Sequence, residues 1–184
     1  MKQLYTIEDR MKLQKLAITG ILAAIICIVS PFSLPLGAIP ISLATFAVYI
    51  AACTVDVKTS VCSVIIYILL GAAGLPVFSN FGGGFHIISG VTGGYILGYI
   101  PCALIIGLLV KKFGSRKWIY PASMMLGTLT CYFLGTTWYM MQTNSGVISA
   151  LAVCILPFLI GDIIKISAAS VIGFTLRKRL SRFL

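Results

Sequence analysis

The chain has 184 residues, of which 59% are hydrophobic and 10% charged, and its formal net charge is +10. A soluble core of this size needs neither that apolar fraction nor a mean hydropathy of +1.06, so the composition points away from a soluble bundle and toward an integral membrane protein. The charge does not indicate nucleic-acid binding, because no basic cluster is interleaved with aromatics on a soluble face.

Six apolar segments are predicted in one all-α membrane domain over 1–184, at about 16–32, 41–54, 60–75, 91–110, 118–140 and 147–176. Several approach the roughly 20 residues that a spanning helix needs. The second and third are short, which predicts little tilt or ends left in the interface. Residues 1–12 are polar and read as lacking a cleavable signal. In the first segment Gly20 and Ala24 form a small-xxx-small pair, with Ala17 and Ala23 nearby. Such a face either packs inside a bundle or receives a partner helix.

The next link, Pro31 to Pro40, holds three prolines and reads as irregular or extended. Ser42 follows it and is a candidate to face a cavity. After the third segment comes a link from Gly71 to Gly90 in which seven of twenty residues are Gly or Pro, so no regular helix is predicted through its middle. It is uncharged and holds Phe78, Phe81 and Phe85 around Asn80. Two readings stand: a lid folded over a pocket mouth, or an interfacial loop with aromatic anchors. His86, the only histidine, reads either as a loop residue or as a polar contact to a ligand. The fourth segment opens with Gly90, Gly94 and Gly98 at four-residue spacing, which brings helix backbones close. Gly93, Gly94 and Tyr95 at its outer end also leave room for a ligand.

The sixth segment carries the sharpest signal. Thirteen of the 14 Lys and Arg residues sit at segment ends or in links, and Lys165 alone lies within an apolar run. Asp162, one of four acidic residues, precedes it by three positions, so on a helix the two share a face. Ionisable groups at membrane depth are costly unless they pair or line a cavity. A polar site built by Asp162 and Lys165 is therefore expected.

Basic residues alternate along the chain. Lys2, Arg10, Lys12 and Lys15 precede the first segment, and Lys58 lies between the second and third. Lys111, Lys112, Arg116 and Lys117 lie between the fourth and fifth, and Arg177, Lys178, Arg179 and Arg182 follow the sixth. The links near 33–40, 76–90 and 141–146 have none. The positive-inside rule places both termini in the cytoplasm. Lys165 is then about 18 Å from Arg177 along a helix, at 1.5 Å per residue, which puts the site past the midplane and opens it outward. Glu8, Asp9 and Asp56 are expected in water or near headgroups.

No phosphate-binding G-x-x-x-x-G-K-[ST] loop is present, so ATP hydrolysis by that route is not expected. The six cysteines are scattered singly, with no zinc or disulfide spacing. No nucleophile–base pair or metal cluster stands out, so neither an enzyme nor a cofactor is expected.

Gly74-Leu-Pro-Val-Phe78, the run Gly82 to Gly84, Thr92-Gly-Gly-Tyr95 and Asp162-x-x-Lys165 together resemble the BioY family, the biotin-binding S-components of energy-coupling-factor (ECF) vitamin transporters. The resemblance runs from about Leu16 to Arg177. It implies a six-helix protein of the cell membrane that captures biotin outside, then docks on a transmembrane T-component coupled to two ATPases. It assigns Asn80, Asp162 and Lys165 as polar substrate contacts and the Gly20/Ala24 face as the partner surface. Phe78, Tyr95 and Gly93 suit the apolar parts of the ligand. Two positions depart from the family pattern: Ala44 where Gln is frequent, and Val91 where Pro is usual. Both leave room for a related cofactor precursor. A stand-alone secondary transporter using Asp162 and Lys165 as a proton relay is the competing reading, though no inverted repeat supports it.

Overall fold

The computed structural model describes residues 7–35 and 39–180, without the side chains of residues 7–9 and 180. Lys2, Arg182, the side chains of Glu8 and Asp9, and the centre of the first outer link (36–38) lie outside the described residues. The described part is mostly helical: α1 (Ile7–Val29), a two-stranded hairpin β1 (Ser33–Leu34) and β2 (Ile41–Ser42), α2 (Ala44–Thr54), α3 (Val57–Ala72), α4 (Phe85–Ser89), α5 (Gly93–Phe113), α6 (Ile119–Thr143), α7 (Val147–Cys154) and α8 (Phe158–Leu180). Arg10–Val29, Gly93–Phe113 and Phe158–Arg179 are long and apolar enough to cross a membrane.

The short helix α2 is the hub. Eight of its eleven residues are buried, because it packs against α1, α3, α5, α6 and α8. A helix surrounded by others must be apolar all round rather than striped. Its polar atoms are paired internally: Tyr49 shares a hydrogen bond with Thr128 of α6, and the Thr54 hydroxyl donates to the Ile50 carbonyl. The Ser30 hydroxyl shares another with Tyr67 of α3 at 2.6 Å. In a medium without water, each such pair removes a desolvation cost of a few kcal/mol.

Helices α5 and α6 form the most extensive pairing. A Cβ on Gly94 would stand 2.3 Å from the Trp138 Cβ and 2.7 Å from the Leu134 carbonyl oxygen, and one on Gly98 would meet Cys131. The small residues at these two positions therefore serve helix packing. Gly90 does not belong to that face. It caps α4, and its carbonyl accepts from the Trp138 indole at 2.9 Å.

The stretch read as a single segment over 147–176 is two helices. α7 ends at Cys154 and α8 begins at Phe158, with a turn between them. Pro157 accounts for the break: it lacks an N–H and turns the preceding residue away from helical geometry. Pro101, by contrast, sits inside α5 without ending it. The predicted irregular link 31–40 contains the β1–β2 hairpin, paired Ser33 to Ser42 and Leu34 to Ile41. The glycine-rich link contains two short elements that were not anticipated, a 3₁₀ turn over Ser79–Phe81 and the five-residue α4.

At the opposite end, Asp56 caps α3, accepting from the Thr59 amide and hydroxyl at 3.2 and 2.8 Å. Burial alone would raise its pKa, but these bonds and nearby Lys15 outweigh it and hold the carboxyl below its usual 3.8.

Candidate functional site

One face of α8 is buried: Phe158, Asp162, Lys165, Ile166, Ala169 and Gly173 follow at intervals of one, three and four. Ile160, Ile163, Ile164 and Val171 point outward. The spacing that made Asp162 and Lys165 neighbours in sequence therefore turns both inward. They are 5% and 7% exposed, and the Lys165 ammonium lies 2.6 Å from Asp162 Oδ1.

Each charge is also held from another helix. Lys165 Nζ donates to the Ser42 carbonyl at 3.1 Å and to the Thr45 hydroxyl at 3.0 Å. The ammonium thus makes two hydrogen bonds, and the carboxylate faces it as the counter-ion. Tyr132 of α6 donates to Asp162 Oδ2 at 2.6 Å. Oδ1 makes no hydrogen bond of its own among the described residues and faces Lys165 only as an ion pair. Breaking a buried pair by removing one member costs about 3–5 kcal/mol, so α2, α6 and α8 are locked together here.

The pair borders a cavity of about 100 Å³, room for several waters at roughly 10–15 Å³ each. Phe78, Tyr95, Tyr99 and Phe158 supply its apolar wall, and Ser42, Thr45, Thr128 and Tyr132 its hydroxyls. The Tyr95 ring stacks on Phe158 at 6.0 Å, while its hydroxyl donates to the Cys154 carbonyl at 2.6 Å and satisfies the end of α7. Tyr95 thus offers the cavity a face and not a donor. Ser42 lines the cavity, but its hydroxyl donates to the Ser30 carbonyl and caps Ala44.

The loop between α3 and α5 covers this cavity. Phe78 is fully buried against Gly71, edge-on to Tyr67 at 5.6 Å, and it lines the cavity with Ser79, Ile87 and Thr92. Gly84 sits at φ 107°, which favours glycine and lets the chain turn into α4. Phe81, Phe85 and His86 are exposed and do not line the cavity.

Asn80 is placed differently from Asp162 and Lys165. It adopts φ 57° in a 3₁₀ turn over Ser79–Phe81. Its side chain accepts from the Ser33 hydroxyl at 2.8 Å, and its amide donates to the Pro31 carbonyl. It lines a neighbouring groove with Phe32, Phe81 and Ile164, which meets the cavity at Ser42 and Lys165. Gly93 stands behind the cavity wall, where a Cβ would fall 1.7 Å from the Ile88 carbonyl oxygen. Gly20 and Ala24 lie on the outward face of α1, and a Cβ on Gly20 would meet nothing within 4 Å. No cluster of three metal-ligating side chains occurs among the described residues.

Tyr132 and Thr45 were not anticipated. The available signal was the row of hydroxyls Thr128, Tyr132 and Thr136 along one face of α6.

Comparison with known proteins identifies the fold and the family. A crystal structure of the S-component for biotin from an ECF-type ABC transporter superposes with a TM-score of 0.86 at 27% identity, covering 92% of this chain and 94% of that one. The biotin transporter BioY of Thermotoga maritima is 38% identical over 166 residues, 90% of this chain and 97% of its own. A probable biotin transporter BioY of Pyrococcus horikoshii is 33% identical over 163 residues, 89% and 96% of the two chains. The BioY family profile matches residues 1–182. Matched by that profile over nearly its whole length and by relatives above 30% identity, the chain belongs to the BioY family.

Proposed function

We propose that this chain is the biotin-binding S-component of an ECF-type vitamin importer. The observation that carries the reading is the Asp162–Lys165 pair at the wall of a lidded, mostly aromatic cavity, in a chain whose relatives are named biotin transporters. Biotin's ureido ring has two N–H donors and a carbonyl. Asp162 Oδ1 has lone pairs for an N–H, and Lys165 can trade a backbone or hydroxyl acceptor for a ligand carbonyl or carboxylate. Phe78 and Tyr95 cover the bicycle, and Gly93 allows α5 to close behind it. Asn80 reaches the ligand when the lid and hairpin shift toward the cavity. A mostly apolar site with a few placed polar groups is the usual form for small molecules.

In the membrane, six crossings with both termini in the cytoplasm fit the alternation of basic and bare links, with α7 and α8 together forming the last crossing. The lid end then faces outside. Energy comes from a T-component and two ATPases, and the T-component meets α1 at Gly20 and Ala24. The outward, unfilled surface there supports this, since small residues allow close helix approach.

Calorimetry on the purified chain in detergent tests the capture role, with lipoate, dethiobiotin and thiamine as comparators. Selective biotin binding without partners or nucleotide is expected. Folded protein that ignores biotin would overturn the substrate and point to Ala44 and Val91. Gly20→Leu is expected to retain biotin binding and to lose copurification with the T-component. Undiminished copurification would move the docking face elsewhere.

A further inference from the structure

We propose that the end of the bundle opposite the lid carries a second site, a socket for the phosphate of an anionic lipid headgroup. A recess of about 400 Å³ opens there between α1, the α2–α3 link, α5 and α8. Three cations from three helices converge on it: Lys15, Lys111 and Arg177. Lys111 and Arg177 also line an adjoining recess with Lys112 and Lys178.

Among the described residues the only carboxylate lining the main recess is Asp56, which caps α3 through Thr59 and lies near Lys15. Set against Lys15, Lys111 and Arg177, that single carboxylate leaves the described lining with an excess of positive charge. Arg177 gives one N–H to the Cys53 carbonyl at 3.2 Å. That bond fixes the guanidinium across the recess, and its planar fork suits two phosphate oxygens at once.

The depth favours a lipid over a soluble ligand. Phe113, the last residue of α5, and Trp118, just before α6, are exposed at 42% and 59% on either side of the α5–α6 link. Lys112 and Lys117 lie over the rings of Phe113 and Phe174, at 5.2 and 5.5 Å. An exposed tryptophan, with lysines whose apolar stems lie along neighbouring rings, marks the headgroup level of a bilayer. A basic recess between helices at that level receives lipid phosphates from the membrane itself.

The test uses the full chain in detergent, titrated with phosphatidylglycerol or with phosphatidylcholine of the same acyl chains and read by native mass spectrometry. Inorganic phosphate is the soluble comparator. Phosphatidylglycerol is expected to stay bound where phosphatidylcholine dissociates. Lys15→Gln and Lys111→Gln change exposed side chains and are each expected to lower its affinity about fivefold, from roughly 1 kcal/mol per surface cation. Arg116→Gln removes the same charge in the α5–α6 link, outside both recesses, and is expected to leave the affinity unchanged. Retained biotin binding reports that each variant is folded. Equal binding of the two lipids would overturn the proposal, and so would equal losses in Arg116→Gln and Lys111→Gln. Lys111-dependent binding of inorganic phosphate with no preference between the lipids would assign the socket to a soluble anion instead.

Discussion

The two ends of this bundle treat the same residue type in opposite ways. At the lid end a single lysine, Lys165, is 7% exposed and has partners from three directions: Asp162, the Ser42 carbonyl and the Thr45 hydroxyl. At the basic end Lys111 and Lys112 are exposed beside Lys15, Lys117 and Arg177. Water and headgroups meet the needs of charges there, so number matters more than position. Inside the apolar layer the protein must supply every partner, and each partner comes from a different element. One buried ion pair thereby organises α2, α6, α8 and the hairpin, whereas many surface charges organise little.

The sharpest test of that contrast is Lys165→Ala. It leaves Asp162 buried and unpaired, and biotin affinity measured by calorimetry is expected to weaken by about 2–5 kcal/mol. A folded variant with unchanged affinity would erase the distinction. Tyr132→Phe comes next. It removes one hydrogen bond to a charged group, an interaction worth about 1.5–3 kcal/mol. Both biotin affinity and the thermal midpoint should fall, and if neither moves, the ion pair stands without help from α6.

The smallest effect is expected at the other end. Asp56→Ala removes the α3 cap and should lower stability by about 1 kcal/mol, with biotin affinity untouched. Its pH dependence has a definite sign. The folded pKa lies below 3.8, so the carboxylate's contribution is complete above that value and disappears as pH falls through the lower folded pKa. Wild type and variant should therefore converge in thermal midpoint only in strong acid. A loss of biotin affinity in Asp56→Ala would show that the two ends are coupled.

Asp162 and Lys165 were legible in the sequence because a charge in an apolar run is a rare event with few physical solutions. Tyr132 and Thr45 were not, because tyrosine and threonine are ordinary in membrane helices. Their role depends on which helix lies opposite. Prolines show the same limit. Pro101 and Pro157 obey one local rule, yet α5 continues through the first, and the second separates α7 from α8. Apolarity ran unbroken across 147–176 and concealed that separation. Phe85 to Ser89 contains no glycine, which left room for α4 inside a link that reads as irregular as a whole. The left-handed turn at Asn80 follows from contacts with Pro31 and Ser33, which no local pattern announces.

The chain has two tryptophans, and the fold has put one at each end. Trp138 gives its indole proton to the carbonyl of Gly90, where α4 meets α5 under the lid. Trp118 stands exposed at the start of α6, in the basic α5–α6 link. The protein therefore carries two native fluorophores in different surroundings, one wired to the loop that covers the cavity and one exposed at the basic end. Leaving one in place at a time would separate an optical signal of ligand capture from one of the membrane surface, with no dye attached.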